Sequence, residues 1–280
     1  MIHVIASYGA MRHIGLFRTE IADLRRGEKC ILRSDRGVEL AEIVSRMDDA
    51  PADQEQGIVG QVLRRATPRD VSRTEEIEQN FAPQEYTFCQ NKIREHNLPM
   101  KLVSVEHLFG GDKIIFYFLA DGRVDFRELV KDLAAQYRTR IEMRQIGVRD
   151  EARLLADVEH CGRVLCCKSF MKDLAPVTMR MAKAQKTTLD PAKISGRCGR
   201  LMCCLRFEDQ SYAELREQLP KRGAHVKTTQ GIGIVTATEV LKQQVTVDFG
   251  NDRDGVFGVG EIEVLSDQPA PPPTDAKTGD

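Results

Sequence analysis

Two stretches of the chain, CGRVLCCKSF at residues 161–170 and CGRLMCCLRF at residues 198–207, repeat one another almost letter for letter. We call them the first and the second knuckle. Both carry the motif Cys-Gly-Arg-x-x-Cys-Cys, and together they hold six of the eight cysteines. A site for a soft metal is built in this way, because deprotonated sulfurs from separate loops must converge on one thiophilic centre. The duplication therefore predicts a metal-binding module.

The spacing within each knuckle limits the choice of ligands. Adjacent side chains of an extended chain point apart, so each Cys-Cys pair is expected to give one sulfur to a mononuclear ion. The preferred metal ligands are then Cys161, Cys166, Cys198 and Cys203. The other member of each pair, Cys167 or Cys204, is an alternative ligand, a core residue or a ligand that faces a partner chain. His160 offers a nitrogen ligand, although a histidine there is more often an exposed neighbour.

The net charge of -1 conceals a basic segment around the knuckles. Between His160 and Phe207, ten lysines and arginines stand against two aspartates. Four thiolates around a divalent ion carry a net charge of only about -2, so most of this positive charge is left for another anion. The residues predicted to contact RNA or a partner protein are Arg163, Lys168, Arg197 and Arg200.

The composition is that of a soluble protein, with 41% hydrophobic residues in 280. No apolar run of about 18 residues occurs, and charged residues and histidines interrupt the N-terminal stretch, so we expect neither a signal peptide nor a membrane anchor. Eight cysteines without an export signal indicate a reducing compartment, and we expect a cytoplasmic protein. The sequence lacks a Walker loop, an H-E-x-x-H motif and a G-x-S-x-G motif, so no catalytic residues are predicted.

The order of apolar runs and turn signals predicts an α+β protein built of modules. Residues 1–66 are expected to form a small β-barrel or sheet, and residues 67–150 an α+β sandwich in the order helix, strand, strand, helix, strand. Residues 151–207 form the cysteine-rich module with the two CGRxxCC knuckles. Residues 208–266 are β-rich, which is typical of an SH3-like or KOW-like barrel. The proline-rich tail, residues 267–280, is expected to be disordered.

Several local signals place elements within these modules. Thr67 and Pro68 predict the start of a helix that runs toward residue 97. Residues 113–119 are apolar on both faces, as expected for an interior strand covered by helices. Asp125 and Glu128 suggest a capping box for a helix at residues 126–137, followed by a strand at 140–148. The C-terminal strands are expected at residues 224–228, 232–238, 243–249 and 256–264.

The two cysteines outside the knuckles have a different expected role. Cys30 lies in a predicted strand at residues 29–33, which pairs with residues 38–44 across a glycine-bearing turn. Cys89 lies in the predicted helix that follows Pro68. Both are expected to pack in hydrophobic cores rather than bind metal.

The segment from residue 149 to residue 208 resembles the RicT (YaaT, stage 0 sporulation protein) family, whose defining domain is named after a yeast polymerase-suppressor protein. The matching sequence segments are RDEARLL, CGRVLCC, PVTMRMAKAQ, LDPAKISG and CGRLMCCLRFE. The layout of the flanking modules as far as about residue 264 agrees with the family. One departure concerns residues 156–160, ADVEH, where the family usually has a glycine-rich stretch similar to GGIGP.

The resemblance implies a non-catalytic bacterial adaptor. It would act with two small helical proteins, one YlbF-like and one YmcA-like, and direct the ribonuclease RNase Y to transcripts in mRNA maturation, with consequences for sporulation. It also implies an iron-sulfur cluster, expected as 4Fe-4S, held by cysteines of the two knuckles. The alternative is a nucleic-acid-binding protein with structural zinc and no redox role, because spacing alone does not separate the two metals. A thiol oxidoreductase is disfavoured, because vicinal cysteines form strained disulfides.

Overall fold

The computed structural model describes residues 2–47, 57–251 and 253–266. Within these ranges the chain forms three sheets and seven α-helices, which confirms the α+β class. The chain divides into two compact units, one of Met1–Leu174 with Ser195–Arg200, the other of Ala175–Ile194 with Leu201–Asp280. The predicted tail lies outside the described residues. No helix of the described part is long and apolar enough to cross a membrane.

The first unit begins with a closed β-barrel, as the sequence predicts. Its strands run in the order β1-β2-β5-β3-β4. Alternating side chains point inward, and Phe17, Leu32 and Ile43 fill the interior. Gly60 lets two strands approach, since a Cβ there would lie 1.9 Å from the Arg33 carbonyl oxygen. The strands are β1 (Ile2–Tyr8), β2 (His13–Thr19), β3 (Lys29–Arg33), β4 (Val38–Met47) and β5 (Ile58–Arg65).

A helical segment follows the barrel and starts where the sequence predicts. Thr67 is the N-cap: its hydroxyl accepts a hydrogen bond from Asp70 N, and the Asp70 carboxylate accepts one from Thr67 N. Pro68 occupies the first turn, where its missing N–H costs nothing. The segment consists of α1 (Pro68–Glu76), one π-helical turn (Ile77–Phe81) and α2 (Ala82–Glu95).

The sandwich contains a sheet in the order β6-β7-β8. Its strands are β6 (Lys101–His107), β7 (Lys113–Leu119) and β8 (Arg140–Gln145), and the helix α3 (Arg127–Tyr137) makes the crossover that the parallel pair β7 and β8 requires. Helices cover one face of β7, through Cys89 of α2 and Leu133 of α3. On the other face, Met11 of the barrel and Leu154 pack against the strand. Both faces are thus buried, as predicted, with helix residues on each face and a barrel residue on the second.

Two local predictions in this region are wrong. No side chain caps α3: Phe126 is the N-cap, and the Asp125 carboxylate instead binds the backbone and guanidinium of Arg127. The last predicted strand is shorter than expected, because Gly147 caps a new helix, α4 (Val148–Leu155). Alternating polarity continues past the end of this strand, so the sequence pattern does not indicate the residue at which the strand ends and the next helix begins.

The second unit contains helices and a sheet in the order β12-β11-β10-β9-β13. The predicted strand at residues 256–264 is wrong, because a 3-10 turn (Val259–Glu261) splits it and the two halves lie at opposite edges of the sheet. The SH3-like or KOW-like assignment stays a prediction. The elements are α5 (Met179–Ala184), α6 (Pro191–Ile194), α7 (Cys204–Glu217), β9 (His225–Thr228), β10 (Gly231–Glu239), β11 (Gln244–Asp248), β12 (Asp254–Gly258) and β13 (Glu263–Ser266).

Candidate functional site

Each knuckle begins within a short hairpin turn, and the two turns are structural copies. The backbone hydrogen bonds recur with the offset of the sequence repeat. They are Glu159 N to Arg163 O, Gly162 N to Glu159 O and Leu165 N to Asp157 O in the first copy, and Gly196 N to Arg200 O, Gly199 N to Gly196 O and Met202 N to Ile194 O in the second. The repeated sequence therefore adopts the same backbone conformation in both copies.

The glycine of each motif is required by its backbone conformation. Gly162 has φ +74° and Gly199 has φ +71°, both in the left-handed region that disfavours other residues. A Cβ at either position would meet no atom within 4 Å. The glycines are thus needed for the tight turn between the first cysteine and the arginine, and not for lack of space.

The two copies differ after their second cysteine. In the second knuckle, Cys203 is the N-cap of α7 with φ -66° and ψ -24°, and Cys204 is the first helical residue. In the first knuckle, Cys166 and Cys167 lie in successive turns. The assumption that each Cys-Cys pair is extended is therefore wrong, because the chain is folded into turns or a helix there. The choice of one ligand per pair stays a prediction that needs another argument.

The knuckle cysteines differ in their exposure. Cys161 is exposed and Cys167 is buried, whereas Cys166, Cys198, Cys203 and Cys204 are half-buried. The division into units falls within the second knuckle, so that Cys203 and Cys204 belong to the second unit and the other four cysteines to the first. Burial raises the pKa of the Cys204 thiol, and Glu208 and Cys203 act in the same direction.

The six thiols have the right chemistry for a soft metal, since two matching turns present sulfur donors and left-handed glycines. In the described ranges, however, no three His, Cys, Asp or Glu side chains lie close enough together to hold a metal ion. His160 is exposed and lies 3.4 Å from the Glu159 carboxylate through its Nε2. The predicted ligand set therefore stays a prediction.

The cysteines outside the knuckles are core residues, as predicted. Cys30 on β3 and Cys89 on α2 are fully buried among aliphatic and aromatic neighbours. Burial raises the pKa of both thiols to about 12. A thiol that resists ionisation is a poor metal ligand and a poor nucleophile.

Glu159 connects the two turns. Its Oε2 accepts a hydrogen bond from Arg197 N at 2.9 Å, and its Oε1 accepts one from His160 N at 3.0 Å. The side chain is 17% exposed. This residue lies in the ADVEH stretch, where the chain departs from the family pattern, so the departure supplies a contact between the turns.

The four predicted contact residues are not equivalent. Arg163, Arg197 and Arg200 are exposed. Lys168, by contrast, is 17% exposed, and its ammonium group forms an ion pair with Asp157. The three arginines therefore remain candidates for contact with RNA or a partner, whereas Lys168 stabilises the fold of the turn.

Other cations lie near the first knuckle. Lys172 donates a hydrogen bond to Lys168 O at 2.9 Å. Burial lowers the pKa of Lys172 to about 8, and Arg153 and Arg12 add to this effect, while Cys167 opposes it. The buried Cys167 therefore lies close enough to Lys172 to affect the charge of its ammonium group.

A cavity of about 520 Å³ lies between α4 and the start of the second knuckle, within the first unit. Val148, Leu155, Arg197 and Cys198 are among the residues that line it. Leu155 is exposed, as is Val148. Cys198 is therefore accessible from this side.

Sequence reasoning missed two polar groups in the first unit. Glu106 of β6 accepts hydrogen bonds from the Arg36 guanidinium and the Tyr117 hydroxyl, each at 2.5 Å, and from Ala10 N. Glu85 of α2 lies 2.6 Å from His107 Nδ1. In both groups the partners are far apart in the sequence, so no local spacing could have indicated them.

Comparison with known proteins identifies two family regions in the chain. The region described as "PSP1 C-terminal conserved region" matches residues 60–146, and "PSP1-like protein, third domain" matches residues 176–219. The first match covers the sandwich rather than the cysteine segment. The second includes the second knuckle and α7.

Two known proteins are similar to the chain in sequence. The stage 0 sporulation protein YaaT of Bacillus subtilis (strain 168) is 47% identical over 239 residues, which are 85% of this chain and 86% of YaaT. A protein of Schizosaccharomyces pombe, "Uncharacterized protein PB7E8.02", is 31% identical over 140 residues, which are 44% of this chain and 19% of the yeast protein. No solved structure matches the chain. The chain therefore belongs to the PSP1 family, together with the sporulation protein YaaT.

Proposed function

We propose that the protein is a non-catalytic, cytoplasmic bacterial adaptor that carries an iron-sulfur cluster on its knuckles. It acts with YlbF-like and YmcA-like helical partners to regulate mRNA processing by RNase Y. The observation that carries the proposal is the duplicated motif, which holds six of the eight cysteines and begins in each copy with the same hydrogen-bonded turn. The identity of 47% to a sporulation protein supports a regulatory role.

The surroundings of the first knuckle also support a thiolate-rich centre. Lys172 lies close to Cys167, and the exposed arginines of both knuckles add positive charge that can offset a negatively charged thiolate centre. When bound, the cluster would supply redox-sensitive chemistry at the knuckles. The residues of the chain contribute sulfur donors, the left-handed glycines and the Glu159 contact.

The second candidate is a nucleic-acid-binding protein with structural zinc. The helical start at Cys203 suits this candidate as well as the first, because the amide N–H groups of a helix start stabilise thiolates in zinc sites and in iron-sulfur sites alike. Both candidates use the preferred ligands, and both place Arg163, Arg197 and Arg200 against RNA or a partner. They differ in the metal.

Metal analysis of anaerobically purified protein distinguishes the candidates. We expect a brown preparation with broad visible absorption, iron and acid-labile sulfide, and loss of all three in the double variant Cys161→Ser/Cys198→Ser. The matched control is Cys89→Ala, which removes a buried thiol outside the knuckles and should retain the metal. Stoichiometric zinc without iron would favour the second candidate. Protein without either metal would contradict both.

The adaptor role has a separate test. The tagged chain, expressed in its native cell, is expected to retain the two helical partners and RNase Y, and the cysteine double variant is expected to lose them. Retention of the same partners by the metal-free variant would separate the adaptor role from the cluster. Absence of all of these partners from the wild-type preparation would contradict the adaptor role.

A further inference from the structure

A second pocket lies in the sandwich, in the segment between α1 and β6. It has a volume of about 630 Å³. Arg69, Ser72 and Arg73 of α1 line it, together with Phe81 at the end of the π-helical turn and His107 at the end of β6. None of these residues belongs to the knuckles, and the proposed function assigns no role to them.

The two arginines of this pocket are available for an anion. Arg69 and Arg73 are exposed on successive turns of one helix. The Arg73 guanidinium lies 5.5 Å from the centre of the Phe109 ring, which fixes its position without neutralising it. Within the described ranges, neither arginine forms an ion pair with a carboxylate. Paired arginines of this kind suit a phosphate group.

His107 is oriented by a buried carboxylate. Its Nδ1 lies 2.6 Å from Glu85 Oε1, and the Glu85 side chain is only 4% exposed. The second oxygen, Glu85 Oε2, has no hydrogen-bond partner among the described residues. Because a buried carboxylate fixes the proton on Nδ1, the Nε2 atom is left to bind a ligand.

An aromatic ring completes the pocket. Phe81 is 46% exposed, and its ring centre lies 6.2 Å from that of His107 at an angle of 49°. The π-helical turn is what places Phe81 here, and such turns occur often at functional sites. An exposed ring beside arginines is typical of proteins that stack nucleic-acid bases.

We propose that this pocket binds a nucleoside monophosphate unit, with its phosphate on Arg69 and Arg73 and its base stacked on Phe81. Ser72 and the Glu76 carboxylate, which also line the pocket, provide partners for ribose hydroxyls or base amino groups. The unit belongs either to a single RNA strand or to a free nucleotide. The inference does not depend on a metal at the knuckles, and loss of the cluster would leave it intact.

Binding of fluorescein-labelled oligouridylate and oligoadenylate RNA to the full chain tests the proposal. Arg69→Ala/Arg73→Ala should weaken binding about tenfold or more and reduce the salt slope by about one to two, since phosphate contacts are lost. Phe81→Ala should weaken binding about five- to hundredfold, and Phe81→Tyr should restore it, because the ring returns. The matched control is Arg94→Ala/Arg123→Ala, which removes two exposed arginines of the sandwich outside the pocket and should change nothing.

Competition separates the two sources of the nucleotide. Free AMP or UMP that displaces the labelled strand at similar concentration per nucleotide indicates a mononucleotide site. Displacement by unlabelled strands alone indicates RNA. Wild-type affinity in both the arginine and the Phe81 variants would overturn the proposal. It would also be overturned if the wild-type chain bound neither probe, or bound decaglutamate instead. Circular dichroism spectra that match the wild type show that the variants are folded.

Discussion

The carboxylate of Glu159 accepts a hydrogen bond at 2.9 Å from the backbone N–H of Arg197, 38 positions further along the sequence, and thereby joins the two turns. The same carboxylate also accepts from His160 N. One side chain thus satisfies an amide in each copy of the duplicated motif. This contact fixes the backbone that immediately precedes Cys161 and Cys198.

Replacement of Glu159 should loosen both turns. Glu159→Ala leaves two amides without their acceptor, and we expect a loss of about 1 kcal/mol in the free energy of unfolding, because water can reach part of the site. Glu159→Gln keeps an acceptor oxygen and should lose less. Denaturant unfolding measures the effect. Glu20→Ala, which removes an exposed carboxylate in a loop of the same unit, should be silent, and an equally silent Glu159→Ala would contradict the prediction.

The two motif glycines should respond alike to substitution. Gly162→Ala and Gly199→Ala each force a side chain into the left-handed region, at a cost of about 1 kcal/mol, although space is available. Asn should cost less at both positions, because it tolerates this conformation. Thermal unfolding of the single variants gives the comparison. Gly122→Ala, at a glycine with open space and no left-handed φ, should not destabilise.

Glu106 is expected to be important for the stability of the first unit. Its carboxylate is 11% exposed and compensates Arg36, which is 9% exposed. Glu106→Gln should cost about 3 kcal/mol, because it leaves a buried guanidinium without its main counter-charge. Tyr117→Phe removes one donor and should cost about 1 kcal/mol. The double variant, measured by denaturant unfolding, should lose less than the sum. Strict additivity would show that the two residues do not act as a group.

Stability should depend on pH through Glu39. Burial raises the pKa of this carboxyl from 4.5 to about 7; Glu106 also raises it, and Arg36 opposes the change. The folded state therefore binds this proton more tightly than the unfolded state. The resulting stabilisation is complete below about pH 4.5 and is lost as the pH rises through about 7.

A Glu39→Gln variant isolates this contribution. The wild-type profile also contains His13, whose pKa burial lowers to about 4, so that stability rises with pH in part of the same window. Because both proteins contain His13, its contribution cancels in the difference between the unfolding free energies of the variant and the wild type. We expect Glu39→Gln to gain stability relative to the wild type as the pH rises from 4.5 to 8, measured by thermal unfolding at each pH. A constant difference would contradict the raised pKa.

Elements defined by short-range signals could be predicted from the sequence. Lys29–Arg33 and Lys113–Leu119 are strands with the predicted bounds, because each combines an apolar pattern with turn signals at both ends. The cap at Thr67 is confirmed, since it needs only residues 67–70. The strand split at Val259–Glu261 was not predictable, because the pairing partners of its two halves are distant in sequence.

The sequence by itself determined the duplicated motif and its thiol-rich chemistry, because six cysteines recur in register in its two copies. Only the tertiary structure decided which polar residues meet. It joined Glu159 to Arg197, Glu85 to His107 and Arg36 to Glu106, and it paired Lys168 with Asp157. The physical reason is that such pairs depend on how strands and turns pack after the chain folds, and separation along the sequence carries no information about that distance.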